Sequence, residues 1–138
     1  MLHSMLKEPT DVKSKKILVI EDEGDMRLLL ELMLNGEENL TIEHCQNLQT
    51  AEKMLQSEQP DVVLLDNKLP DGFGIDFIPY IRQNNPDTKV IMITGFDRSA
   101  EDVALLNGAA LFLQKPFTKH QLFQAIMDQI GPKKTNPE

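Results

Sequence analysis

Residues 61–74 read DVVLLDNKLPDGFG, in which four consecutive aliphatic residues end at Asp66 and a turn follows. A short, continuous apolar run of this kind indicates a strand that is buried on both faces of a sheet. The proline and the Asp-Gly pair after the run favour a turn. The segment therefore predicts a central strand whose last residue, Asp66, projects its carboxylate at the end of the sheet.

Four other runs are rich in apolar and β-branched residues, and helix-like segments separate them. They are ILVI at 17–20, LTIEHC at 40–45, KVIMIT at 89–94 and AALFL at 109–113. Strands that alternate with helices through short connections form a parallel sheet with helices on both faces. We therefore predict an α/β fold with a doubly wound sheet of five parallel strands.

The clearest predicted helix follows the first strand, because apolar residues recur there at the spacing of one helix face. This face consists of Met26, Leu29, Leu30, Met33 and Leu34. Gly36 is expected to end the helix, since glycine is common just beyond helix C-termini.

Capping residues and breakers predict four more helices. Their expected bounds are about Asn47 to before Pro60, about Gly74 to Gln83, an N-cap at Ser99 to Gly108, and a start at a capping box of Thr118 with Gln121. Pro79 lies inside the third of the five helices and predicts a kink or a shorter helix there.

Length and composition indicate one globular domain. The chain has 138 residues, of which 41% are hydrophobic and 26% are charged, and these values are ordinary for a protein with a single core. The two ends lack apolar periodicity. We therefore predict a flexible leader over residues 1–14, a folded domain over residues 15–131 and a disordered tail over residues 132–138.

The charge balance and the cysteine content exclude several classes of protein. The formal net charge of -8 opposes direct binding to nucleic acid, which needs clustered Lys and Arg. Cys45 is the only cysteine, so no internal disulfide can form, and its apolar setting predicts a packed thiol. No run has the length and apolarity of a secretory signal or a membrane span, so we expect no membrane insertion and a cytoplasmic location.

Polar residues follow four of the predicted strands at the point where each strand ends. Glu21 and Asp22 follow the first strand, Asp66 ends the third, Thr94 ends the fourth, and Lys115 comes shortly after the fifth. The carboxyl ends of parallel strands share one edge of the sheet, where α/β proteins bind their ligands. Three carboxylates gathered there would repel each other unless a cation lay among them, and oxygen ligands suit Mg²⁺.

Each residue of this set has its own expected role. The Asp66 carboxylate would be the nucleophile in phosphoryl transfer, while Lys115 would pair first with Asp66 and then with a phosphoryl oxygen. The Thr94 hydroxyl would donate to another phosphoryl oxygen. Any one such residue is more often a turn former, a helix cap or a solvated charge. Their joint position at the strand ends favours the functional interpretation.

From about Lys16 to Ile130 the chain resembles the receiver domain of two-component response regulators, in particular the single-domain, CheY-like kind. The matching motifs are ILVIEDE with the acidic pair, VVLLDNKLPDGFG with the phosphoacceptor, VIMITG with the switch hydroxyl, and GAALFLQKPF with the lysine and its following proline. The resemblance implies a sheet in the order 2-1-3-4-5. It also implies a phosphoryl donor, which is a phosphohistidine on a sensor histidine kinase or on a phosphotransfer protein.

The same resemblance assigns further roles to residues of this chain. Mg²⁺, with Mn²⁺ as an alternative, would be held by Glu21 or Asp22, by Asp66 and by the backbone carbonyl of Lys68. Phe112 falls at the aromatic switch position, which is expected to turn inward when the switch hydroxyl moves toward the phosphoryl group. An ordinary apolar strand residue is an equally open interpretation of Phe112.

The resemblance also implies how the signal leaves the domain. The surface formed by the fourth helix, the fifth strand and the fifth helix would bind a downstream protein or a second copy of the chain. Catalysis would be limited to the chain's own phosphorylation and dephosphorylation. The few residues after the fifth helix leave no room for an output domain, so we expect a single-domain regulator or a receiver cut from a longer protein.

Two positions beside the acceptor vary within this family and determine how long the phosphoryl group lasts. Here they are Lys68 and Phe96. A long basic side chain and a bulky aromatic ring would restrict the attacking water. These residues therefore predict slow self-dephosphorylation.

Three alternatives to a working receiver can be compared with the residues of this chain. A phosphatase of the haloacid dehalogenase type also uses a strand-end aspartate with Mg²⁺, but it normally carries an acidic residue two positions later, where this chain has Lys68. A flavodoxin-like binding module would need phosphate loops rich in Ser, Thr and Gly, whereas the first loop here is EDEGDM. A degenerate receiver would lack a member of the acceptor set, and none is missing.

Overall fold

The computed structural model describes residues 14–37, 39–95 and 98–130, along which strands and helices alternate. The elements are β1 Lys15–Ile20, α1 Gly24–Leu34, β2 Leu40–Cys45, α2 Leu48–Ser57, β3 Val62–Asp66, α3 Gly74–Asn84, β4 Lys89–Thr94, α4 Arg98–Leu106, β5 Leu111–Gln114 and α5 Lys119–Ile130. Between β3 and α3, Lys68–Leu69 and Gly72–Phe73 pair as a short antiparallel ribbon. The predicted tail, Phe96 and all of the predicted leader except Ser14 lie outside the described residues.

The five long strands form one parallel sheet in the predicted order, β2-β1-β3-β4-β5. In its centre, Leu64 of β3 lies between Val19 of β1 and Ile91 of β4. The chain passes from β1 to β2 on one side and then crosses to β3 on the other side, so the connections after β1 and β3 diverge. This reversal opens a crevice at the carboxyl ends of β1 and β3, which is where doubly wound sheets bind ligands.

Both faces of the sheet are buried, and this burial explains why the strands read as continuous apolar runs. Val63 and Leu65 of β3 belong to the core that α2, α3 and α4 cover. Val62 and Leu64 belong to the core on the opposite face, which α1 and α5 cover. Cys45 is 5% exposed in the first core, and burial raises the pKa of its thiol to about 11. The predicted packed thiol is therefore confirmed.

The helices have 9–12 residues each and pack one face against the sheet. In α1 this face is narrower than predicted: Leu30 and Leu34 are buried, whereas Leu29 is 41% exposed. The assignment of Leu29 to the buried face was wrong because the contact with the sheet is centred on Leu30 and Leu34. Among the helices in the described ranges, none combines the length and the apolarity needed to cross a membrane.

Two predicted boundaries around α4 are wrong. The helix begins at Arg98, so Ser99 lies inside it and is not its N-cap. The strand β5 begins at Leu111, two residues later than the apolar run suggested. The reason is that the Ala109 N–H donates to the Ala104 carbonyl at 2.9 Å, which makes Ala109 part of the turn that ends α4.

Pro79 does not shorten α3, which continues to Asn84. A proline in a helix interior leaves the carbonyl four residues earlier without its usual N–H donor. That carbonyl belongs to Ile75, and it accepts a hydrogen bond from the side-chain amide Nδ2 of Asn107 at 3.0 Å. A donor from outside the helix therefore replaces the bond that the proline removes.

Side-chain caps secure the ends of two other helices. Asn47 Oδ1 accepts from the Thr50 N–H at 2.7 Å and so caps α2, whose start near Asn47 was predicted. In α5 the predicted capping box is confirmed, because the side chains of Thr118 and Gln121 each accept from the other's backbone N–H, at 3.0 and 2.9 Å. Gly36 has a positive φ of 90° just beyond α1, which confirms its role as a helix stop.

Asp71, in the ribbon turn, supplies two more acceptors to the start of α2. Its Oδ1 accepts from the Leu48 N–H at 2.8 Å and its Oδ2 from the Gln49 N–H at 2.9 Å. These N–H groups have no partner inside the helix, so an external carboxylate satisfies them. The contact ties the loop after Asp66 to the helix on the same side of the sheet.

We predict that Asp71→Ala destabilises the fold by about 1 kcal/mol, because it removes both acceptors from the first turn of α2. The hydrogen bonds from Leu48 and Gln49 hold the pKa of Asp71 below its ordinary value of 3.8. A lowered carboxyl pKa contributes stability above the ordinary value and loses it as the pH falls through the lowered value. The cost of the substitution should therefore be full at neutral pH and should shrink below about pH 4.

Urea unfolding at several pH values measures this effect. Asp87→Ala is the control, because Asp87 is an exposed turn residue whose carboxylate accepts no hydrogen bond from the described residues. Equal losses of stability in the two variants would contradict the capping role of Asp71.

Candidate functional site

Three carboxylates meet at the crevice between β1 and β3. Ile20 and Leu65 are paired residues of these neighbouring strands, so the residues that follow them, Glu21 and Asp66, lie side by side. Together with Asp22 they offer carboxylate oxygens that all lie within 4.8 Å of one another. Glu21 and Asp66 are buried, with 0% and 6% exposure, whereas Asp22 is exposed. The predicted acidic set is therefore brought together by the fold.

Glu21 is held in the site at an electrostatic cost. Its Oε2 accepts from the Glu23 N–H at 3.2 Å, but its buried Oε1 has no hydrogen-bond partner among the described residues. Burial, and next the nearby charge of Asp66, raise the pKa of Glu21 to about 7, while Lys115 acts in the opposite direction. Its ionised form is thus destabilised by desolvation and by a like charge.

A divalent cation fits this set of residues. Three carboxylates against one ammonium group leave an excess of two negative charges when all are ionised. The buried Oε1 of Glu21 accepts no hydrogen bond from the described residues and lies 3.5 Å from Lys115 Nζ, so a cation could still bind to it. Hard divalent cations such as Mg²⁺ prefer carboxylate and carbonyl oxygens as ligands.

Lys115 provides the positive charge of the site. Its Nζ lies 3.4 Å from Asp66 Oδ1 and 3.5 Å from Glu21 Oε1. The side chain is 17% exposed, so water screens these ion pairs only in part. The backbone N–H of Lys115 donates to the Thr94 carbonyl at 2.8 Å, which links the ends of β5 and β4. Two predicted site residues are therefore held next to each other by their main chains.

Thr94 and Lys115 both line a cleft of about 560 Å³. The residues that line it are Asp22, Glu23, Asp66, Asn67, Lys68, Thr94, Gly95 and Lys115, and all of them except the glycine have polar or charged side chains. Thr94 ends β4 and is 8% exposed. The cleft combines a carboxylate, a hydroxyl and an ammonium group, which are groups that can accept or bind a phosphoryl group.

The other predicted site residues have different surroundings. Lys68 is exposed at the cleft, opposite Phe73 in the ribbon. Phe112 does not line the cleft; it is half-buried on β5, beside Met92 of β4, and packs against the core that α2, α3 and α4 cover. Phe96 lies outside the described residues.

Asn67 is a structural member of the site that the sequence analysis did not identify. Its backbone N–H donates to Asp66 Oδ1 at 2.8 Å. Its own carbonyl accepts from the Gly74 N–H at 2.7 Å, and its side-chain Oδ1 accepts from the Ile75 N–H at 3.0 Å. Asn67 therefore couples the orientation of the Asp66 carboxylate to the start of α3.

Gly74 was also missed as a site residue, although its spacing two residues after Gly72 was visible. A Cβ atom at this position would lie 2.2 Å from the Asp66 carbonyl oxygen and 3.0 Å from Leu65 Cγ. Only a residue without a side chain lets α3 approach β3 so closely. The sequence carries the glycine, but nothing in its pattern reveals which backbone it approaches.

Known proteins give an independent view of the chain. The family model of the response regulator receiver domain matches residues 17–127. The response regulator protein PilR of Pseudomonas aeruginosa is 37% identical over 125 residues, which are 90% of this chain and 27% of that protein. The phosphate regulon transcriptional regulatory protein PhoB of Escherichia coli is 31% identical, over 86% of this chain and 54% of that protein. The chain thus spans about a quarter and about half of the length of these two relatives.

Other relatives match over nearly their whole length. Sporulation initiation phosphotransferase F of Bacillus subtilis is 30% identical over 126 residues, which are 89% of this chain and 98% of that protein. Among solved structures, the beryllofluoride-activated NtrC4 receiver domain dimer aligns with a TM-score of 0.77 and 34% identity, over 83% of this chain and 94% of that chain. The signal receiver domain of a LuxO repressor protein from Vibrio parahaemolyticus aligns with a TM-score of 0.79 and 26% identity, over 84% and 89%.

We predict that Gly74→Ala destabilises the fold by about 2 kcal/mol, because the added methyl group overlaps the Asp66 carbonyl and must push β3 and α3 apart. Urea unfolding gives the stability, and NMR spectra report whether the amides of Asp66 and Asn67 shift. Gly24→Ala is the matched control, since a Cβ at that helical glycine meets nothing within 4 Å. The close approach is refuted if Gly74→Ala behaves like Gly24→Ala.

Proposed function

The chain belongs to the response regulator receiver domain family, and from this premise we propose that Asp66 accepts a phosphoryl group as a signal. The donor is a phosphohistidine on a sensor histidine kinase or on a phosphotransfer protein. The chain itself is a signalling phosphoacceptor in the cytoplasm, whose catalysis is limited to its own phosphorylation and dephosphorylation. Its charge of -8 argues against direct contact with nucleic acid.

The observation that carries this proposal is the surroundings of the Asp66 carboxylate. Oδ1 accepts from the Asn67 N–H and lies 3.4 Å from Lys115 Nζ, whereas none of the described residues donates a hydrogen bond to Oδ2. One oxygen is thus held and the other is free to form a bond. A carboxylate fixed in this way is oriented for attack on phosphorus.

The reaction balances as a phosphoryl transfer between two groups. A free oxygen of Asp66 forms a bond to phosphorus, and the P–N bond of the phosphohistidine breaks. The imidazole leaves with the electron pair of that bond and is protonated by solvent as needed. The product is an acyl phosphate on Asp66, which water later hydrolyses to return the carboxylate and inorganic phosphate.

A divalent cation is the cofactor that the acidic set would hold. Mg²⁺, with Mn²⁺ as an alternative, would bind to Glu21, Asp22, Asp66 and the Lys68 carbonyl, and it would supply positive charge against the phosphoryl oxygens. The proximity of the three carboxylates supports this assignment. Burial and the charge of Asp66 raise the pKa of Glu21, and a bound cation would act in the opposite direction by favouring the ionised carboxylate.

Lys115 and Thr94 have the positions needed to respond to the new charge. A phosphoryl group adds about 1.5 to 2 negative charges, which an ammonium group and a hydroxyl donor can pair with. Lys115 Nζ already forms an ion pair with Asp66, and the backbone N–H of Lys115 donates a hydrogen bond to the Thr94 carbonyl. Movement of Thr94 toward the phosphoryl group would vacate space beside β4, into which Phe112 on the neighbouring strand would turn.

The surface of α4, β5 and α5 is the proposed output of the switch. On α4, Val103, Leu105 and Leu106 are 44%, 42% and 84% exposed. Exposed apolar side chains on one helix favour docking of another protein. We therefore propose that a downstream protein or a second copy of the chain binds to this surface when Asp66 is phosphorylated.

The rival functions have less support at the same site. Lys68 occupies the position of the acidic residue that a haloacid dehalogenase-type phosphatase needs as general acid. The acidic residues of the cleft would repel the phosphates of a bound nucleotide or flavin. A degenerate receiver does not explain why the acceptor, the acidic pair, the hydroxyl and the lysine lie together.

We predict that the chain takes up one phosphoryl group when it is incubated with a small acyl phosphodonor and Mg²⁺, as measured by intact mass. Asp66→Asn should take up none, because the nucleophilic oxygen is lost. Asp71→Asn is the matched control and should be labelled like the wild type, since Asp71 lies in the same loop but outside the acidic set. Chelation of the divalent ion should abolish labelling in every variant.

Labelling of Asp66→Asn at the level of the wild type would refute the assignment of the acceptor. Sustained release of phosphate from phosphoester substrates would instead favour the phosphatase.

We further predict that Lys68→Ala and Phe96→Ala each speed the loss of the phosphoryl group several-fold, because smaller side chains leave the attacking water less restricted. Lys68 lies at the cleft, which supports its part in this prediction. Decay of labelled protein in the presence of Mg²⁺ gives the rates. Unchanged rates in both variants would rule out this control of lifetime.

A further inference from the structure

The helix α4 is attached to the sheet by little apolar surface. Of its described side chains, from Ala100 to Leu106, only Ala100 and Ala104 are buried, at 7% and 0% exposure. The neighbouring helix α3 buries far larger side chains, namely Phe77, Ile78 and Ile81. Hydrophobic stabilisation scales with the apolar area that is removed from water. Individual polar contacts therefore account for a larger share of what holds α4 in place.

One such polar contact joins α4 to α3. Asn107 directly follows α4, and its amide Nδ2 donates to the Ile75 carbonyl at 3.0 Å, across 32 positions of sequence. Pro79 has no N–H, so this carbonyl lacks its usual donor within α3 and is open to a donor from outside the helix. The proline and the asparagine thus form a matched pair, in which one frees an acceptor and the other uses it.

A second contact lies beside the first. Gly108 has a positive φ of 113°, and a Cβ there would lie 2.6 Å from Cγ of Arg82 on α3. Arg82 is itself held by hydrogen bonds from its guanidinium group to the carbonyls of Pro86 and Thr88. The C-terminal end of α4 therefore rests on a fixed part of α3.

From these contacts we infer that the Asn107–Ile75 hydrogen bond is a latch. It restrains α4 in the position that the helix has when Asp66 carries no phosphoryl group. In this arrangement Lys115 forms an ion pair with the Asp66 carboxylate itself. The inference rests on the proposed function and adds one step to it, namely that α4, which carries part of the proposed output surface, shifts when Asp66 is phosphorylated. The latch opposes that shift, so it sets how much of the energy of phosphoryl binding is needed to move α4.

The latch is tested with Asn107→Leu, which keeps the size of the side chain but removes the donor. Beryllofluoride in the presence of Mg²⁺ serves as the phosphoryl analogue, and NMR titration gives its affinity. Without the latch the shifted position of α4 is less unfavourable in free energy, so the affinity for beryllofluoride should increase. The expected factor is about five-fold, which corresponds to one hydrogen bond of ordinary net strength. Pro79→Ala should act in the same direction but less strongly, since the N–H that it introduces competes for the Ile75 carbonyl.

The matched control is Asn84→Leu. Asn84 also donates a side-chain amide to a carbonyl of α3, that of Tyr80 at 2.9 Å, but this bond stays within one helix. Its loss should leave the beryllofluoride affinity unchanged. An affinity of Asn107→Leu that equals that of Asn84→Leu, or that falls below that of the wild type, overturns the latch.

Amide hydrogen exchange without any analogue separates the latch from the proposed function. Asn107→Leu should speed the exchange of α4 amides selectively, relative to those of α3, whereas Asn84→Leu should not. If the wild type fails to bind beryllofluoride, the proposed function fails. The exchange data still show whether the Asn107–Ile75 hydrogen bond restrains α4. If α4 exchanges equally in both variants, the latch is overturned whatever the affinities are.

A double-substitution cycle tests the pairing of Asn107 with Pro79. The loss of stability caused by Asn107→Leu should be smaller in the Pro79→Ala background, because the backbone N–H that this substitution introduces satisfies the Ile75 carbonyl within the helix. Additive effects of the two substitutions would show that the two residues do not share this carbonyl, and would overturn the matched pair.

Discussion

The burial of Glu21 beside Asp66 is the constraint on which the rest of the site depends. Two neighbouring carboxylates with 0% and 6% exposure repel each other in a region that water screens poorly. The pairing of β1 with β3 forces this contact, since the two residues follow paired positions of adjacent strands. Lys115 offsets part of the repulsion from the end of β5. The remaining negative charge suits the cleft to the divalent cation that we propose for it.

The sheet keeps this costly arrangement rigid. All five residues of β3 are buried, its aliphatic side chains lie in two cores, and Asp66 is the last residue of this strand. The loop after it is held by Asn67 and Asp71, which bind backbone N–H groups at the starts of α3 and α2. A preorganised carboxylate of this kind needs little rearrangement before it reacts. Asp66, the proposed acceptor, is thus tied to two helices as well as to its own strand.

In contrast to β3, the helix α4 of the proposed output surface is held by little buried apolar surface. The helix α4 buries alanines and exposes Val103 and Leu106. A shift of α4 would therefore expose less buried apolar surface than a shift of a helix that buries larger side chains. Its polar contact with α3 depends on Pro79, a residue that would ordinarily weaken a helix. A well-packed carboxylate next to a lightly held helix suits the switch that we propose, because a local change of charge can move an element whose alternative positions differ little in free energy.

Sequence patterns alone identified the fold class, the strands and the set of residues at the strand ends, because apolar runs and the polar residues that follow them are local features. Even the capping box of Thr118 and Gln121 could be recognised, since both partners lie within one helical turn. Tertiary structure alone decided that Leu29 is exposed, that Gly74 approaches the Asp66 carbonyl and that Asn107 reaches Ile75. Each of these depends on how two elements that are distant in sequence pack together, and packing distances leave no periodic pattern in the chain.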